Sequence, residues 1–222
     1  MGRLHEQLAA VMPPVQQTLL VPTADPATTH GLVDQLLDRL PVRGERDEFD
    51  RLAQRRLVQR RRMLERVAGL RPADCDTLTI GYVHGDFHAL NLLYDDAGAP
   101  AAVLDWDRLK IGPYPQDLVR AATLFFGHGD ERGLDLDRVG VFVAGYREVV
   151  GLDAAQIRSA VHRLWWERVN DFWMLEWRYL RRDRSCDHLF AGAAALVDWW
   201  TAHRAQVVDA FAPHPAGAGA AV

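Results

Sequence analysis

Apolar residues recur at intervals of three or four positions over most of the chain, the period of a helix with one buried face. This pattern predicts helices at residues 31–40, 46–68, 139–150, 153–180 and 188–211. The helix at 46–68 combines one apolar stripe with an opposite face rich in arginine. The helix at 153–180 is apolar or aromatic over more than half of its circumference, so we expect it to be the central buried helix.

A different pattern lies near the middle of the chain, where short β-branched and apolar runs alternate with turn-forming residues. Residues 79–83 predict a strand, and Gly85 just after it permits a backbone turn that a larger residue would resist. Residues 92–94 and 101–104 flank the turn-forming sequence 95–98, which predicts a β-hairpin. The chain is therefore predicted to be α+β and predominantly α-helical, with short β-hairpins.

Cap and turn residues set the predicted boundaries of several helices. Residues 111–115 contain glycine and two prolines and predict a turn. Asp117 follows this turn and is predicted to be the N-cap of the next helix. Asp153 and Gln156 have the spacing of a capping box at the start of the long aromatic helix.

The polar residues around the hairpin form the candidate site. In an antiparallel hairpin the first residue of one strand lies beside the last residue of its partner, so Asn91 and Asp105 should be neighbours at the open end. Asp86, on the loop after the first strand, should lie over the same end. Two carboxylates and an amide are hard oxygen ligands that suit Mg²⁺, with one carboxylate left to accept a proton. The spacing matches a phosphoryl-transfer site with one base and two metal ligands.

These residues belong to a longer motif. Residues 84–91 read HGDFHALN, residues 105–107 read DWD, and Gly-Pro at 112–113 and Asp-Leu at 117–118 follow. Together they resemble the signature of the aminoglycoside phosphotransferase and choline kinase-like family. The resemblance implies a protein-kinase-like fold. It also implies transfer of a phosphoryl group from ATP or GTP, with Mg²⁺, to a hydroxyl group of a small acceptor.

The resemblance implies a role for each matching residue. Asp86 would be the catalytic base, and Asn91 and Asp105 would bind the metal. Asp107 would be either an outer metal contact or a solvent-facing residue, and both alternatives stay open. Asp117 would support the catalytic loop from the helix below and would not take part in the reaction.

Two histidines of the motif allow a second interpretation. His84 and His88 are spaced i, i+4, and on a helix they would form a zinc site with Asp86 or Asp105, as in a metal-dependent hydrolase. The preceding strand and Gly85 argue against a helix at this place. We therefore interpret His84 as a structural histidine bonded to the backbone and His88 as a supporting residue.

The chain resembles only the C-terminal lobe of that fold. Residues 2–9 resemble the segment that begins the first helix of this lobe, so the lobe is predicted to span residues 1–212, with a flexible tail at 213–222. Kinases of this fold hold the nucleotide phosphates with a lysine on a strand of the N-terminal lobe. The only lysine here, Lys110, lies downstream of the catalytic loop, so we expect the nucleotide-clamping lobe to be absent.

Two expectations follow for activity. The first is a truncated form, or a form that needs a partner, with reduced or no activity alone. The competing class is a non-catalytic binding module of the pseudokinase type. A protein that only binds a partner, however, has no need of metal-binding residues.

Composition and charge limit the other classes. The chain is 49% hydrophobic and 25% charged, which is ordinary for a globular domain. Eleven arginines lie in residues 39–71, but no aromatic residues are interleaved on that face and the net charge is -4, so nucleic acid is not an expected partner. Cys75 and Cys186 are too few for a disulfide framework, and neither a signal core nor a membrane span is evident. A cytoplasmic location and no membrane contact are therefore expected.

The sequence does not identify the acceptor. Trp166, Trp173 and Trp177 form a second face of the aromatic helix, which is either core packing or the wall of an acceptor pocket. Three acids on the same helix would suit amines: Glu167, Asp171 and Glu176. An aminoglycoside, another antibiotic, choline, homoserine and a sugar are all retained as acceptors.

Overall fold

The computed structural model describes residues 1–74 and 78–213, so Cys75 and the predicted tail beyond residue 213 lie outside the described residues. Within them the α-helices are α1 (Gly2–Val11), α2 (Pro26–Asp38), α3 (Glu48–Val67), α4 (Tyr114–Phe126), α5 (Leu136–Arg147), α6 (Ala154–Asn170), α7 (Trp173–Leu180), α8 (Asp187–Ala202) and α9 (Arg204–Phe211). The strands are β1 (Ile80–Val83), β2 (Leu92–Tyr94), β3 (Pro100–Val103) and β4 (Lys110–Pro113). The fold is α+β and mostly helical, which confirms the predicted fold class. None of the described helices is both long enough and apolar enough to cross a membrane.

The early helices begin where side chains cap their free backbone N–H groups. α2 begins at Pro26, earlier than the apolar period predicted, because the Asp25 carboxylate accepts the N–H of Thr28 at 3.1 Å. Proline also suits the first position of a helix. α3 begins with a capping box in which Asp47 and Asp50 each accept the backbone N–H of the other.

β1 pairs antiparallel with β4, so the segment predicted to be a turn at 111–115 begins instead as one strand of a small sheet. The sheet has Gly81 opposite Gly112. A Cβ on Gly81 would lie 2.1 Å from the hydroxyl oxygen of Tyr114, and a Cβ on Gly112 would lie 2.9 Å from the Val83 side chain. The two glycines therefore let the strands and the Tyr114 ring pack closely.

The long aromatic helix predicted at 153–180 is two helices, α6 and α7. The Asn170 side chain donates to the Trp166 carbonyl at 2.8 Å. Asp171 is extended, and its carboxylate accepts the N–H of Trp173 at 3.0 Å. These local side-chain bonds compete with the helical pattern and end α6 at this point.

The last predicted helix and the capping box predicted at Asp153 also differ in the structure because of side-chain hydrogen bonds. The last predicted helix divides at His203, whose Nδ1 donates to the Trp199 carbonyl at 2.8 Å. At the start of α6, Asp153 accepts the N–H of Gln156 at 2.8 Å, as in half of a capping box. Oε1 of Gln156 instead accepts the N–H of Thr79 at 2.8 Å, so this side chain joins α6 to the approach to β1.

The core consists of three apolar clusters. The largest surrounds α6, where Trp165 and Trp166 are each 1% exposed. A second joins α2, α3, α7 and α8 and includes Phe190. A small third cluster packs Phe87 against Ala121 and so attaches the loop after β1 to α4. A fully buried large apolar side chain contributes about 1.5–3 kcal/mol relative to exposure, so packing of Phe87 is one of the contacts that hold the loop.

One buried guanidinium joins three helices of the second cluster. Arg178 of α7 donates to Asp47 at 2.8 Å and to Asp50 at 2.9 Å, both at the start of α3, and it also pairs with Asp187 of α8. The Tyr179 hydroxyl donates to the same Asp50 carboxylate at 2.7 Å. The side chains of Arg178 and Asp50 are each 4% exposed, so each charge depends on its protein partners and not on water.

Replacing Arg178 by alanine is expected to lower the free energy of unfolding by about 3–5 kcal/mol, because the buried Asp50 carboxylate would lose its counter-charge. Urea unfolding followed by circular dichroism measures this change. Arg184→Ala is the matched control, since Arg184 is exposed on the segment between α7 and α8, and its effect should stay within about 0.5 kcal/mol. An equally small effect of Arg178→Ala would contradict the proposed role of this cluster.

Candidate active site

The loop after β1 is shaped by a glycine and a buried histidine. Gly85 has a φ of +78°, which glycine adopts without strain, and a Cβ there would lie 2.8 Å from the Arg108 carbonyl oxygen. The His84 ring is fully buried, and its Nδ1 accepts the N–H of Asp86 at 3.3 Å. The proton is therefore on Nε2, which donates to the Leu104 carbonyl at 2.8 Å. His84 thus joins the loop to the far strand of the hairpin through backbone groups.

The Asp86 carboxylate faces a cation that sequence reasoning missed. Arg120 of α4 donates from Nη2 to Oδ1 of Asp86 at 3.2 Å and from Nε to the Gly85 carbonyl at 3.0 Å. Nε2 of His88 lies 3.7 Å from the other Asp86 oxygen. Arg120 is three residues after Asp117 on one helix, and this i, i+3 spacing from a motif residue is the signal that could have identified it.

Asn91 connects the loop to the open end of the hairpin. Its backbone carbonyl accepts the N–H of Leu104 at 2.9 Å and so extends the pairing of β2 with β3 by one step. Its side-chain Nδ2 donates to the Asp86 carbonyl at 2.9 Å. Because the amide nitrogen of Asn91 donates to the loop, the amide oxygen Oδ1 points away from that contact and is available to a ligand. Asp105 follows Leu104 directly, at the same end of the hairpin.

Asp105 has an unusual backbone conformation. Its φ is +56°, in the left-handed region, which costs an L-residue roughly 1–2 kcal/mol and which aspartate tolerates better than most. Its side chain is exposed, and within the described residues it makes no hydrogen bond or ion pair. Asp107 is exposed as well. Backbone strain at an unpartnered carboxylate is a common feature of functional positions.

The donor set at the hairpin end suits Mg²⁺ and not zinc. Oδ1 of Asn91 and the carboxylate of Asp105 are hard oxygen donors. Both ring nitrogens of His84 are used in backbone hydrogen bonds, so the zinc site predicted with His88 would lack a ligand. Across residues 1–74 and 78–213, no three His, Cys, Asp or Glu side chains are grouped so that they could hold a metal ion. The hydrolase alternative therefore has no support in the described residues.

Asp117 is not the N-cap that its position suggested, because α4 already begins at Tyr114. Asp117 is 6% exposed and accepts from Nε2 of His5 at 3.2 Å. Nδ1 of His5 accepts the hydroxyl proton of Tyr146 at 2.7 Å, and the His5 ring stacks on Tyr114. Burial, and then the neighbouring Tyr114 and Asp117, raise the pKa of Tyr146, so its hydroxyl stays a donor. Asp117 therefore fixes α1 and α5 to α4, whereas Arg120 contacts the loop.

Two concave regions are lined in part by residues of α6. The first, the loop cleft, has a volume of about 400 Å³. Its lining includes Gly85, Asp107, Lys110, Arg120 and Glu167. The second, the arginine cavity, is a smaller space of about 70 Å³ between α3, α6, α7 and α8. The loop cleft carries charges of both signs, so its lining alone does not select a ligand.

The predicted tryptophan wall is divided between the core and the second of these regions. Trp166 is 1% exposed and belongs to the core, as the packing alternative predicted. Trp173 lines the arginine cavity, and Trp177 packs edge-on against it at 5.5 Å between ring centroids. The three acids predicted to bind amines are not brought together. Glu167 lines the loop cleft, Asp171 lines the arginine cavity, and Glu176 lines neither of them.

The fold and the loop after β1 indicate a class of protein. A mostly helical α+β domain with Asp86 on the loop and Asn91 and Asp105 at the hairpin end has features expected of a phosphotransferase. Residues 1–152 match the phosphotransferase enzyme family (APH). The match spans more than half of the chain, so the chain belongs to this family, in agreement with the resemblance of its motif. Neither the curated proteins nor the solved structures compared with the chain give a match.

His84→Ala is expected to speed hydrogen exchange at the Asp86 amide by roughly tenfold or more, because that N–H would lose its buried acceptor. Exchange of backbone amides followed by NMR measures this, and amides of α6 report whether the fold is intact. His88→Ala is the control, since its Nδ1 accepts the N–H of Leu90 and not that of Asp86. Unchanged exchange at Asp86 in His84→Ala would show that the histidine does not hold the loop.

Proposed function

We propose that this chain provides the acceptor-activating and metal-binding part of a kinase that phosphorylates a hydroxyl group of a small molecule in the cytoplasm, with ATP or GTP as the donor. The observation that carries the proposal is the bond from Nδ2 of Asn91 to the Asp86 carbonyl at 2.9 Å. This bond ties the loop to the hairpin end that carries Asp105, so the three polar side chains of a phosphoryl-transfer site are held as one unit.

Asp86 is the proposed catalytic base. The acceptor oxygen forms a bond to the γ-phosphorus while the bond from that phosphorus to the β,γ-bridging oxygen breaks, and the hydroxyl proton passes to the Asp86 carboxylate. The nucleoside diphosphate is the leaving group. Arg120 and the backbone contacts of His84 support this role by fixing the carboxylate before the acceptor arrives, since most of the rate in phosphoryl transfer comes from positioning and charge.

Asn91 and Asp105 are the residues proposed to hold Mg²⁺, with Asp107 as an outer contact. When bound, Mg²⁺ neutralises charge on the phosphates of the nucleotide. The fit rests on the oxygen chemistry of the two side chains and on the exposed, unpartnered carboxylate of Asp105 within the described residues.

The proposal includes a source of positive charge for the nucleotide phosphates. Lys110 is the only lysine in these 222 residues, and it lies on β4 after the loop and not on a strand before it. We therefore propose that a partner, or a further segment of polypeptide, supplies the phosphate-binding cation, and that residues 1–222 alone turn over slowly. A non-catalytic binding module is the second candidate, and the left-handed Asp105 counts against it, because simple binding elsewhere would not require that strain.

Asp105→Ala is expected to weaken Mn²⁺ binding, a probe of the Mg²⁺ site, by roughly tenfold or more, because the site would lose its carboxylate ligand. Paramagnetic relaxation of water protons measures the bound metal. Asp96→Ala is the matched control, since Asp96 is an exposed acid on the turn of the same hairpin. Equal Mn²⁺ binding by wild type, Asp105→Ala and Asp96→Ala would favour the binding-module alternative.

Asp86→Asn is expected to slow phosphoryl transfer by about 10²–10⁴-fold while Mn²⁺ binding stays unchanged, because the amide cannot accept the proton. Transfer from radiolabelled ATP to water, with protein in excess of nucleotide, measures the rate without a known acceptor. Asp96→Asn, on the exposed turn of the hairpin, controls for the loss of one negative charge. A rate in Asp86→Asn equal to wild type would contradict the assignment of the base.

A further inference from the structure

The solvent-facing side of α3 carries arginines that have no partner in the described part of the chain. Four of them are exposed, and their side chains make neither a hydrogen bond nor an ion pair within residues 1–74 and 78–213: Arg51, Arg55, Arg62 and Arg66. Two other arginines of α3 pair with acids of neighbouring helices, Arg56 with Asp198 and Arg61 with Asp34. The four unpartnered residues therefore form a separate group, which we call the arginine row.

Helix geometry places the arginine row along one line. Successive residues of an α-helix turn by about 100° and rise about 1.5 Å. The row has spacings of four, seven and four residues, which keep its side chains within about 60° of arc over about 22 Å of the helix axis. The buried residues Ala53, Leu57 and Leu64 lie on the opposite side of α3. The arginine row therefore faces away from the core and is open to a partner.

The charges of the row differ from those of an ordinary solvated helix face. Such a face usually places an acid four residues from a base, so that the two attract each other. The row instead has two pairs of like charge at i, i+4, which repel: Arg51 with Arg55 and Arg62 with Arg66. The exposed acids of α3, Glu48 and Glu65, form no ion pair in the described residues. An anion bound against the row would therefore offset a repulsion that the fold leaves in place.

An open groove of about 450 Å³ runs along the row. The residues that line it belong to α3: Gln54, Arg55, Val58, Gln59, Arg62 and Arg66. Val58 lies in the gap between the two arginine pairs and is 37% exposed. Interfaces between proteins are enriched in arginine and have an apolar centre with a polar rim. The groove has this composition, with charge at both ends and an apolar side chain in the middle.

We propose that the arginine row docks an acidic α-helix of a partner protein, with carboxylates against both arginine pairs and an apolar side chain against Val58. A second helix has the same rise as α3, so acids at spacings of four, seven and four residues would match the row. This order of spacings is the same in both directions, so a parallel and an antiparallel helix both fit. Guanidinium groups bind carboxylates through paired hydrogen bonds. The inference goes beyond the proposed function and does not depend on it.

Larger anions fit the row less well. Proteins that bind single-stranded nucleic acid stack its bases on aromatic side chains, and the row has none. A nucleic-acid duplex or a membrane surface would extend past the row and meet Glu48 before its first arginine and Glu65 beside its last. The net charge of -4 also opposes the approach of a long polyanion. A short acidic helix places its charges only where the row can balance them.

Fluorescence anisotropy with a labelled peptide tests the proposal on the wild-type chain. The probe is a helical peptide with four glutamates at the spacing of the row and a leucine between the two glutamate pairs. It should bind at least roughly tenfold more tightly than two control peptides, one with glutamine at these positions and one with its four glutamates distributed around the helix. Equal binding by either control peptide would overturn the proposal, and so would tighter binding of an RNA duplex or of phosphatidylserine vesicles.

Variants then locate the site. Arg55→Gln combined with Arg62→Gln should weaken binding of the probe peptide by roughly threefold or more, because one exposed ion pair is lost at each end of the groove. Arg43→Gln combined with Arg184→Gln is the matched control, since it removes the same charge at exposed arginines outside α3 and should leave binding unchanged. Equal binding by the two double variants would place the peptide elsewhere and overturn the proposal.

A second copy of this chain does not supply the matching helix. Within the described residues, no helix carries four acids at the spacing of the row. We therefore expect the wild-type chain and the variant with Arg55→Gln and Arg62→Gln to have the same oligomeric state, which sedimentation velocity measures. A wild-type dimer that dissociates in this variant would make the chain its own partner and overturn the proposal of a separate acidic protein.

Discussion

A histidine that is buried away from water needs hydrogen-bond partners for both ring nitrogens. The candidate site depends on how His84 meets this requirement. His84 meets it with two backbone groups, the N–H of Asp86 and the carbonyl of Leu104, which belong to different segments of the chain. One side chain therefore fixes the distance between the loop and the far strand of the hairpin. Asn91 adds a second bond of the same kind, from its amide to the Asp86 carbonyl. His84 and Asn91 are thus held by bonds from their side chains to backbone groups, whereas the Asp86 carboxylate is held by the Arg120 side chain.

A similar rule governs the helical part of the fold, where polar residues occupy the apolar stripe of α3. Asp50 and Arg60 are both buried, and each has its partner on a later helix. Asp50 meets Arg178 of α7, and Arg60 meets the carbonyls at the end of α6. A buried charge needs such partners, so these contacts fix how α3 lies against α6 and α7. The walls of the arginine cavity follow from that arrangement.

The sequence predicted those features that local patterns determine. The helical period gave the fold class, and antiparallel register predicted that Asn91 and Asp105 lie at one hairpin end. It did not predict the pairing of β1 with β4, because Gly112 meets Gly81 only through a contact distant in sequence. The role of Arg120 was missed for the same reason. The corner at Asp171 was missed because side-chain hydrogen bonds override an apolar period that continues through it.

The ionic partners of the charged side chains are distributed unevenly over the fold. On the hairpin side, Asp105 is an exposed carboxylate without a cationic partner in the described residues. On the helical side, Arg60 and Arg168 are cations without an ion pair there. Asp86 has its cationic partner in Arg120. Because Asp86 is already paired, Asp105 is the carboxylate of this site that is left to balance a metal cation, as the proposed Mg²⁺ site requires.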